Sequence, residues 1–245
     1  MLLQFSDENH FNIGDIRFRL DMVPGVTTQD EVFLYKDRQL LDKYVNHLAS
    51  LGARNALELG IFQGGSAVLL AVGLGLEHVS CVDICDPLPD YDAFLRRHGL
   101  EARIRRHYNT SQDDAARLTQ ILDTEFGPAG PDLIIDDASH LYELSRRSFE
   151  IAFPRLRKGG YYVLEDWAWA HWPHTQDPAS GWANWDALTN LVFELVMALG
   201  STGLIEKLEV HPSYVVIRKS FVDYDWTNFG LDSIIRSRGR PLVRL

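Results

Sequence analysis

Cysteine is nearly missing from this chain. Cys81 and Cys85 are the only two in 245 residues, and both lie in or beside one apolar run, Val79 to Ile84. Their spacing is neither a CxxC redox pair nor half of a zinc site with visible partners, so buried thiols in a reducing compartment are the plain reading. Basic charge is also short: 24 Lys and Arg against 34 Asp and Glu give a formal net charge of −10. That deficit argues against a broad surface for nucleic acid or anionic membrane. The cluster Arg96, Arg97, Arg103, Arg105 and Arg106 reads as a solvated face. Long apolar runs are absent as well. No uncharged stretch reaches the ~20 residues of a membrane-spanning helix, and Met1 to Glu8 lacks the basic start and apolar core of a signal peptide. A cytoplasmic protein is expected. Repeats and low-complexity tracts are missing too, so one domain over residues 1–245 is expected.

What is present is an alternation of apolar runs and helical periods. Pro24-Gly25 marks a turn in the first thirty residues. From Asp30 to Leu51, Phe33, Leu40, Leu41, Tyr44, Val45 and Leu48 recur at helical spacing, making residues 1–50 a helical, substrate-side extension. Strands are then predicted at 55–59, 79–84, 102–108, 132–135 and 161–164. Helical stretches intervene at 64–73, 91–98, 111–126 and 141–156. Strand-then-helix units imply a parallel sheet flanked by helices on both faces. An apolar helix follows at 183–199, suited to self-association as a homo-oligomer or to completing the core. Two last strands, 204–210 and 214–219, join through His211-Pro212-Ser213. A seven-stranded, mostly parallel α/β sheet closed by an antiparallel pair is expected, and it resembles the Rossmann-like arrangement of class I methyltransferases.

The first strand ends in Glu58-Leu59-Gly60-Ile61-Phe62-Gln63-Gly64-Gly65-Ser66. A dinucleotide fingerprint needs glycines at 60, 62 and 65, and Phe62 breaks it where the backbone must approach a pyrophosphate. Acid, Gly, then Gly-Gly-Ser instead suits the zwitterionic end of an amino-acid-like ligand, with Glu58 facing an ammonium and helix-start N–H groups facing a carboxylate. Gly60, Gly64 and Ser66 belong to that cradle; the alternative is a tight turn without ligand. Asp83 ends the second strand, where an acid accepts ribose hydroxyls or merely caps a loop. Asn109-Thr110-Ser111-Gln112-Asp113 follows the third strand. Thr110 or Ser111 is a candidate N-cap there, and Ser111 a candidate cofactor contact.

The fourth strand ends in Asp136-Asp137-Ala138-Ser139-His140 and the fifth in Glu165-Asp166. Asp137, Glu165 and Asp166 offer three hard oxygen ligands, which favours Mg²⁺ over Zn²⁺; loop caps or salt bridges to Arg146, Arg147 or Lys158 are the alternative. His140 is a candidate base or a structural histidine. Asp136 is left as a cofactor-side or supporting residue. Trp167, Trp169, Trp172, Trp182 and Trp185 fill a loop over 167–185 that reads as a lid over a substrate or as packing on the sheet edge. His171 and His174 within it are weaker candidates.

These segments together resemble Mg²⁺-dependent, S-adenosylmethionine-dependent sugar O-methyltransferases of the macrocin and mycinamicin type, with cephalosporin-hydroxylase-type sequences as relatives. The Ser-Gln-Asp run is similar to the adenine-contacting segment of catechol O-methyltransferase. The sugar-enzyme resemblance implies S-adenosylmethionine and Mg²⁺ as cofactors, Asp137, Glu165 and Asp166 as metal ligands, His140 as general base and Asp83 on the ribose. It implies a glycosylated natural product as the small-molecule acceptor. A phenol or catechol O-methyltransferase, an NAD-dependent oxidoreductase and a non-catalytic binding protein are the alternatives.

Overall fold

The computed structural model describes residues 3–245, so the first two residues of the expected extension and of the Met1 to Glu8 segment lie outside the described residues. The chain divides into two compact units, Met1–Ser111 and Gln112–Leu245.

The first unit opens on strands, not on helix. β1 (Gln4–Phe5), β2 (His10–Ile13), β3 (Ile16–Leu20) and β4 (Val32–Leu34) form a four-stranded sheet in that order. The helical expectation for 1–50 therefore holds only for α1 (Arg38–Ser50). The cause is a tight hairpin: Ile13 pairs with Ile16 across Gly14-Asp15, and Gly14 takes the positive φ of 62° that such turns require. Phe11 and Phe18 face each other across it, buried with ring centroids 4.7 Å apart. α1 starts where the Asp37 carboxylate accepts the Gln39 N–H at 2.6 Å. It buries Leu41, Tyr44, Val45 and Leu48, one stripe of helical spacing.

The rest of this unit is strand–helix alternation. β5 (Asn55–Leu59), β6 (His78–Val82) and β7 (Ile104–His107) pair in parallel, with α2 (Gly65–Val68) and α3 (Pro89–Arg97) between them. The predicted helix over 64–73 departs from a regular α-helix after Val68 and continues as a π-helical turn, Leu69–Gly73. The predicted arginine cluster is spent on local pairs. Arg97 meets Asp30, Arg106 meets Asp92 at 3.1 Å, and Arg103 donates to the Leu76 carbonyl.

In the second unit, α4 (Ala115–Phe126) begins later than 111. Its N-cap is Asp114, which accepts the Arg117 N–H at 3.0 Å, so neither Thr110 nor Ser111 caps it. β8 (Leu133–Asp136) and β9 (Tyr161–Glu165) run parallel around α5 (Tyr142–Ala152). After α6 (Thr189–Ser201), β10 (Ile205–Val210) and β11 (Tyr214–Lys219) form the expected antiparallel pair, and β11 lies antiparallel on β9. A last turn, α7 (Leu231–Ile234), precedes the C-terminus. The larger sheet has seven strands, mostly parallel, closed by this antiparallel pair, as the sequence predicts. No helix among the described residues is long and apolar enough to cross a membrane.

One buried lysine ties this unit together. Lys219, at the end of β11, donates to the carbonyls of Phe153, Pro154 and Leu156 at 2.9, 2.7 and 2.7 Å. Its ammonium also sits 4.3 Å from the Trp226 ring centroid. Burial and the nearby Lys158 push its pKa down, while three carbonyls and a ring face favour the charge. Lys219→Met removes the ammonium donor from all three carbonyls, of which Phe153 keeps the Leu156 N–H at 3.3 Å, and should lower unfolding free energy by about 2 kcal/mol in urea titration. A change within about 0.5 kcal/mol would show that the clamp contributes nothing.

Candidate active site

In the first unit, the candidate cofactor residues gather around one turn. Glu58, 1% exposed, is the penultimate residue of β5 and pairs with Cys81 of β6, whose thiol donates to Glu58 Oε2 at 3.5 Å. Burial pushes that thiol well up, with the Glu58 charge adding to the effect, so Cys81 is no nucleophile. After Leu59 the chain turns through Gly60 (φ 104°), Phe62 (φ 47°) and Gly64 (φ 81°) into α2, where Ser66 is half-buried. Tyr91 lies against Gly64, where a Cβ would come within 2.2 Å of its ring.

Asp83, read from the sequence as a ribose acceptor or a loop cap, is engaged by main-chain N–H groups. Its Oδ2 accepts the N–H groups of Ile61 and Phe62 at 2.6 and 3.0 Å, and its Oδ1 accepts that of Cys85 at 2.9 Å. The carboxylate thus fixes the glycine turn, and only its remaining lone pairs are open to a ligand. Thr110 is tied to the same place through its N–H to the Asp83 carbonyl, 2.9 Å, with half-buried Ser111 following.

In the second unit, Asp137, His140 and Asp166 converge. One ligand atom from each lies within 4.8 Å of the others. His140 Nε2 is 3.9 Å from Asp137 Oδ1 and 3.9 Å from Asp166 Oδ2. All three are partly exposed. Glu165 is not a member of this group; it is buried at the end of β9, opposite Tyr214 of β11. His171 is engaged elsewhere, its Nε2 2.8 Å from Thr189 Oγ1. Among the described residues, four of the five non-glycine residues with positive φ, Phe62, Asn109, His140 and Asp166, follow the ends of β5, β7, β8 and β9. Strained backbone gathers at functional sites, and strand C-terminal ends are where α/β folds bind ligands.

Asp136, left as a cofactor-side or supporting residue, is buried in a polar network. It accepts from Ser148 Oγ at 2.6 Å, Tyr162 Oη at 2.9 Å and Gln112 Nε2 at 3.2 Å. Burial pushes its pKa up to about 6, against the hydrogen bonds from Ser148 and Tyr162. Sequence reasoning missed the other three members, because a Gln, a Ser and a Tyr dispersed over 112–162 carry no spacing signal. Of the tryptophans, Trp169 is buried, while Trp182 and Trp185 are exposed by 36% and 56%.

Comparison with known proteins matches residues 57–167 to the family model described as a methyltransferase domain. L-olivosyl-oleandolide 3-O-methyltransferase of Streptomyces antibioticus is 35% identical over 138 residues, 56% of this chain and 34% of that one. Demethylmacrocin O-methyltransferase of Streptomyces fradiae is 42% identical over 78 residues, 32% of this chain and 19% of that one. The chain thus spans about a third or less of the length of these curated relatives. Among solved structures, the MycE methyltransferase from the mycinamycin biosynthetic pathway, in complex with Mg, SAH and mycinamycin VI, is 27% identical. It superposes with a TM-score of 0.57 over 74% of this chain and 49% of that one. The seven-stranded sheet with its antiparallel C-terminal pair has the class I methyltransferase fold, and residues 57–167 of this chain are similar to the methyltransferase-domain family model.

Proposed function

We propose that this chain is a Mg²⁺- and S-adenosylmethionine-dependent O-methyltransferase acting on a sugar hydroxyl of a glycosylated natural product. The observation that carries the reading is the convergence of Asp137, His140 and Asp166 just past the ends of β8 and β9. The carboxylate oxygens suit Mg²⁺, a cation of hard oxygen ligands, and the imidazole beside them suits a base. The relatives' names, sugar O-methyltransferases of antibiotic pathways, supply the acceptor class.

The first-unit turn fits the sulfonium cofactor by its chemistry. Glu58 and Asp83 are its charged groups, and Glu58 to Ser66 contains no Lys or Arg to meet a pyrophosphate. Phe62 stands in place of the fingerprint glycine, which disfavours NAD. Asp137 and Asp166 would hold the cation, with Glu165 beside them in the chain. Bound there, Mg²⁺ supplies Lewis-acid polarisation of an acceptor hydroxyl. His140 then receives the hydroxyl proton at Nε2, where both carboxylates face the positive charge that forms. S-adenosylmethionine held at the glycine turn would supply the methyl group to the acceptor oxygen, with S-adenosylhomocysteine as the leaving group. Exposed Trp182 and Trp185 offer ring faces for a sugar.

Calorimetric titration with S-adenosylmethionine and with NAD tests the cofactor. Transfer of labelled methyl from S-adenosylmethionine to deoxysugar-bearing polyketides, set against catechols, tests the acceptor. Binding of NAD alone, or methylation of catechols alone, would overturn the reading. His140→Ala should lower kcat by at least ~100-fold, the usual contribution of a general base, with Mg²⁺ affinity retained. A wild-type rate removes the base assignment, and loss of Mg²⁺ affinity would make His140 a ligand.

A further inference from the structure

The segment carrying Asp137 and His140 is held from two sides by side chains that belong to neither the metal cluster nor the glycine turn. Gln112 lies just before α4 and is 7% exposed. Its Nε2 donates to Asp136 Oδ1 and to Ser148 Oγ, both at 3.2 Å. Its Oε1 accepts the backbone N–H of Ser139 at 3.0 Å. One amide thus connects the buried end of β8 to the middle of the turn that follows it. On the other side, the buried Trp169 donates its indole Nε1–H to the backbone carbonyl of His140 at 2.8 Å. Between these two bonds His140 holds a φ of 56°. A histidine pays about 1 kcal/mol or more for that left-handed conformation unless its surroundings impose it.

We propose that Gln112 and Trp169 are positioning residues that impose the left-handed turn and so aim Asp137 and His140; the inference rests on the metal reading of Asp137 and Asp166. Asp136 is the anchor of the arrangement. Three donors, from Ser148, Tyr162 and Gln112, hold its carboxylate, so the Gln112 amide cannot rotate without giving up its bonds at both ends. Trp169 has a second consequence. Its ring centroid lies 4.8 Å from that of Trp182, which joins the aromatic loop to the carbonyl of the proposed base. Supporting side chains of this kind set metal affinity through ligand orientation. Gln112 lies in the Ser-Gln-Asp run whose likeness suggested adenine contact, yet its side chain is committed to Asp136 and Ser139.

The test uses the full chain and two near-isosteric variants, Gln112→Met and Trp169→Phe, with thermal melting to confirm folding. Mg²⁺ affinity by calorimetry should fall by about 10- to 100-fold in both, with S-adenosylhomocysteine affinity unchanged. Amide hydrogen exchange over 138–141 should rise in both variants without any metal. Wild-type Mg²⁺ affinity and unchanged exchange would overturn the brace. Lost S-adenosylhomocysteine affinity with intact Mg²⁺ affinity in Gln112→Met would also overturn it, placing Gln112 on the cofactor. If the wild-type chain binds no Mg²⁺, the metal reading falls alone; raised exchange in both variants still supports the brace, and unchanged exchange still refutes it.

Discussion

Asp137→Asn is expected to lower methyl transfer by about 1,000-fold, and a chelator should abolish turnover of the unaltered chain until Mg²⁺ is restored. The substitution keeps the shape of the side chain and removes one of the two carboxylates that converge with His140. A cation that polarises a hydroxyl contributes several kcal/mol to transition-state stabilisation, and about 4 kcal/mol corresponds to about three powers of ten. The loss should appear in kcat and in Mg²⁺ affinity, while calorimetric affinity for S-adenosylmethionine is retained, because the proposed cofactor residues Glu58, Gly60, Gly64 and Asp83 are untouched. Full turnover in excess chelator would refute the metal role outright. Loss of cofactor affinity in Asp137→Asn would instead show that this carboxylate serves the ligand of the glycine turn.

The larger sheet was legible because its strands are short apolar runs bounded by turns and acids. Val79 to Val82, Leu133 to Ile135 and Tyr162 to Leu164 are all buried, and such runs announce themselves whatever surrounds them. Asp137, His140 and Asp166, which the structure brings together, were legible as ionisable residues shortly after two buried strands. The small N-terminal sheet was harder. β1 and β4 are two and three residues long, shorter than any period can be measured over, and Phe33 fell into the helical pattern of its neighbours. Asp83 shows a different limit. Its position after β6 was readable, but its partners are the backbone N–H groups of Ile61 and Phe62, and every residue except proline offers one. Gln112 and Trp169 were hidden in the same way, since each acts on a main-chain atom of the turn it holds. Side-chain chemistry is spelled in the sequence; main-chain acceptors and donors become specific only when the fold places them.

Gly65→Ala should destabilise the chain by about 4 kcal/mol, beyond the usual 1–3 kcal/mol of an overpacked site. A Cβ at this position would lie 2.1 Å from the Phe33 carbonyl oxygen and 2.8 Å from Leu34 Cα. Those atoms are main chain in β4, so no rotamer change can relieve the contact, and α2 must part from the small sheet. Gly64 before it differs in kind: it needs a positive φ of 81° and faces the Tyr91 ring. Gly75 provides the control, because its φ is 74° but nothing lies within 4 Å of an added Cβ. Gly75→Ala should therefore show only the left-handed penalty of about 1 kcal/mol. Urea midpoints for the two variants separate packing from backbone strain. Equal and small losses at both positions would mean that Gly65 is retained for ligand approach alone. A large loss confined to Gly65 would show that the glycine turn is shaped first by β4, with the cradle for a cofactor following from that close contact.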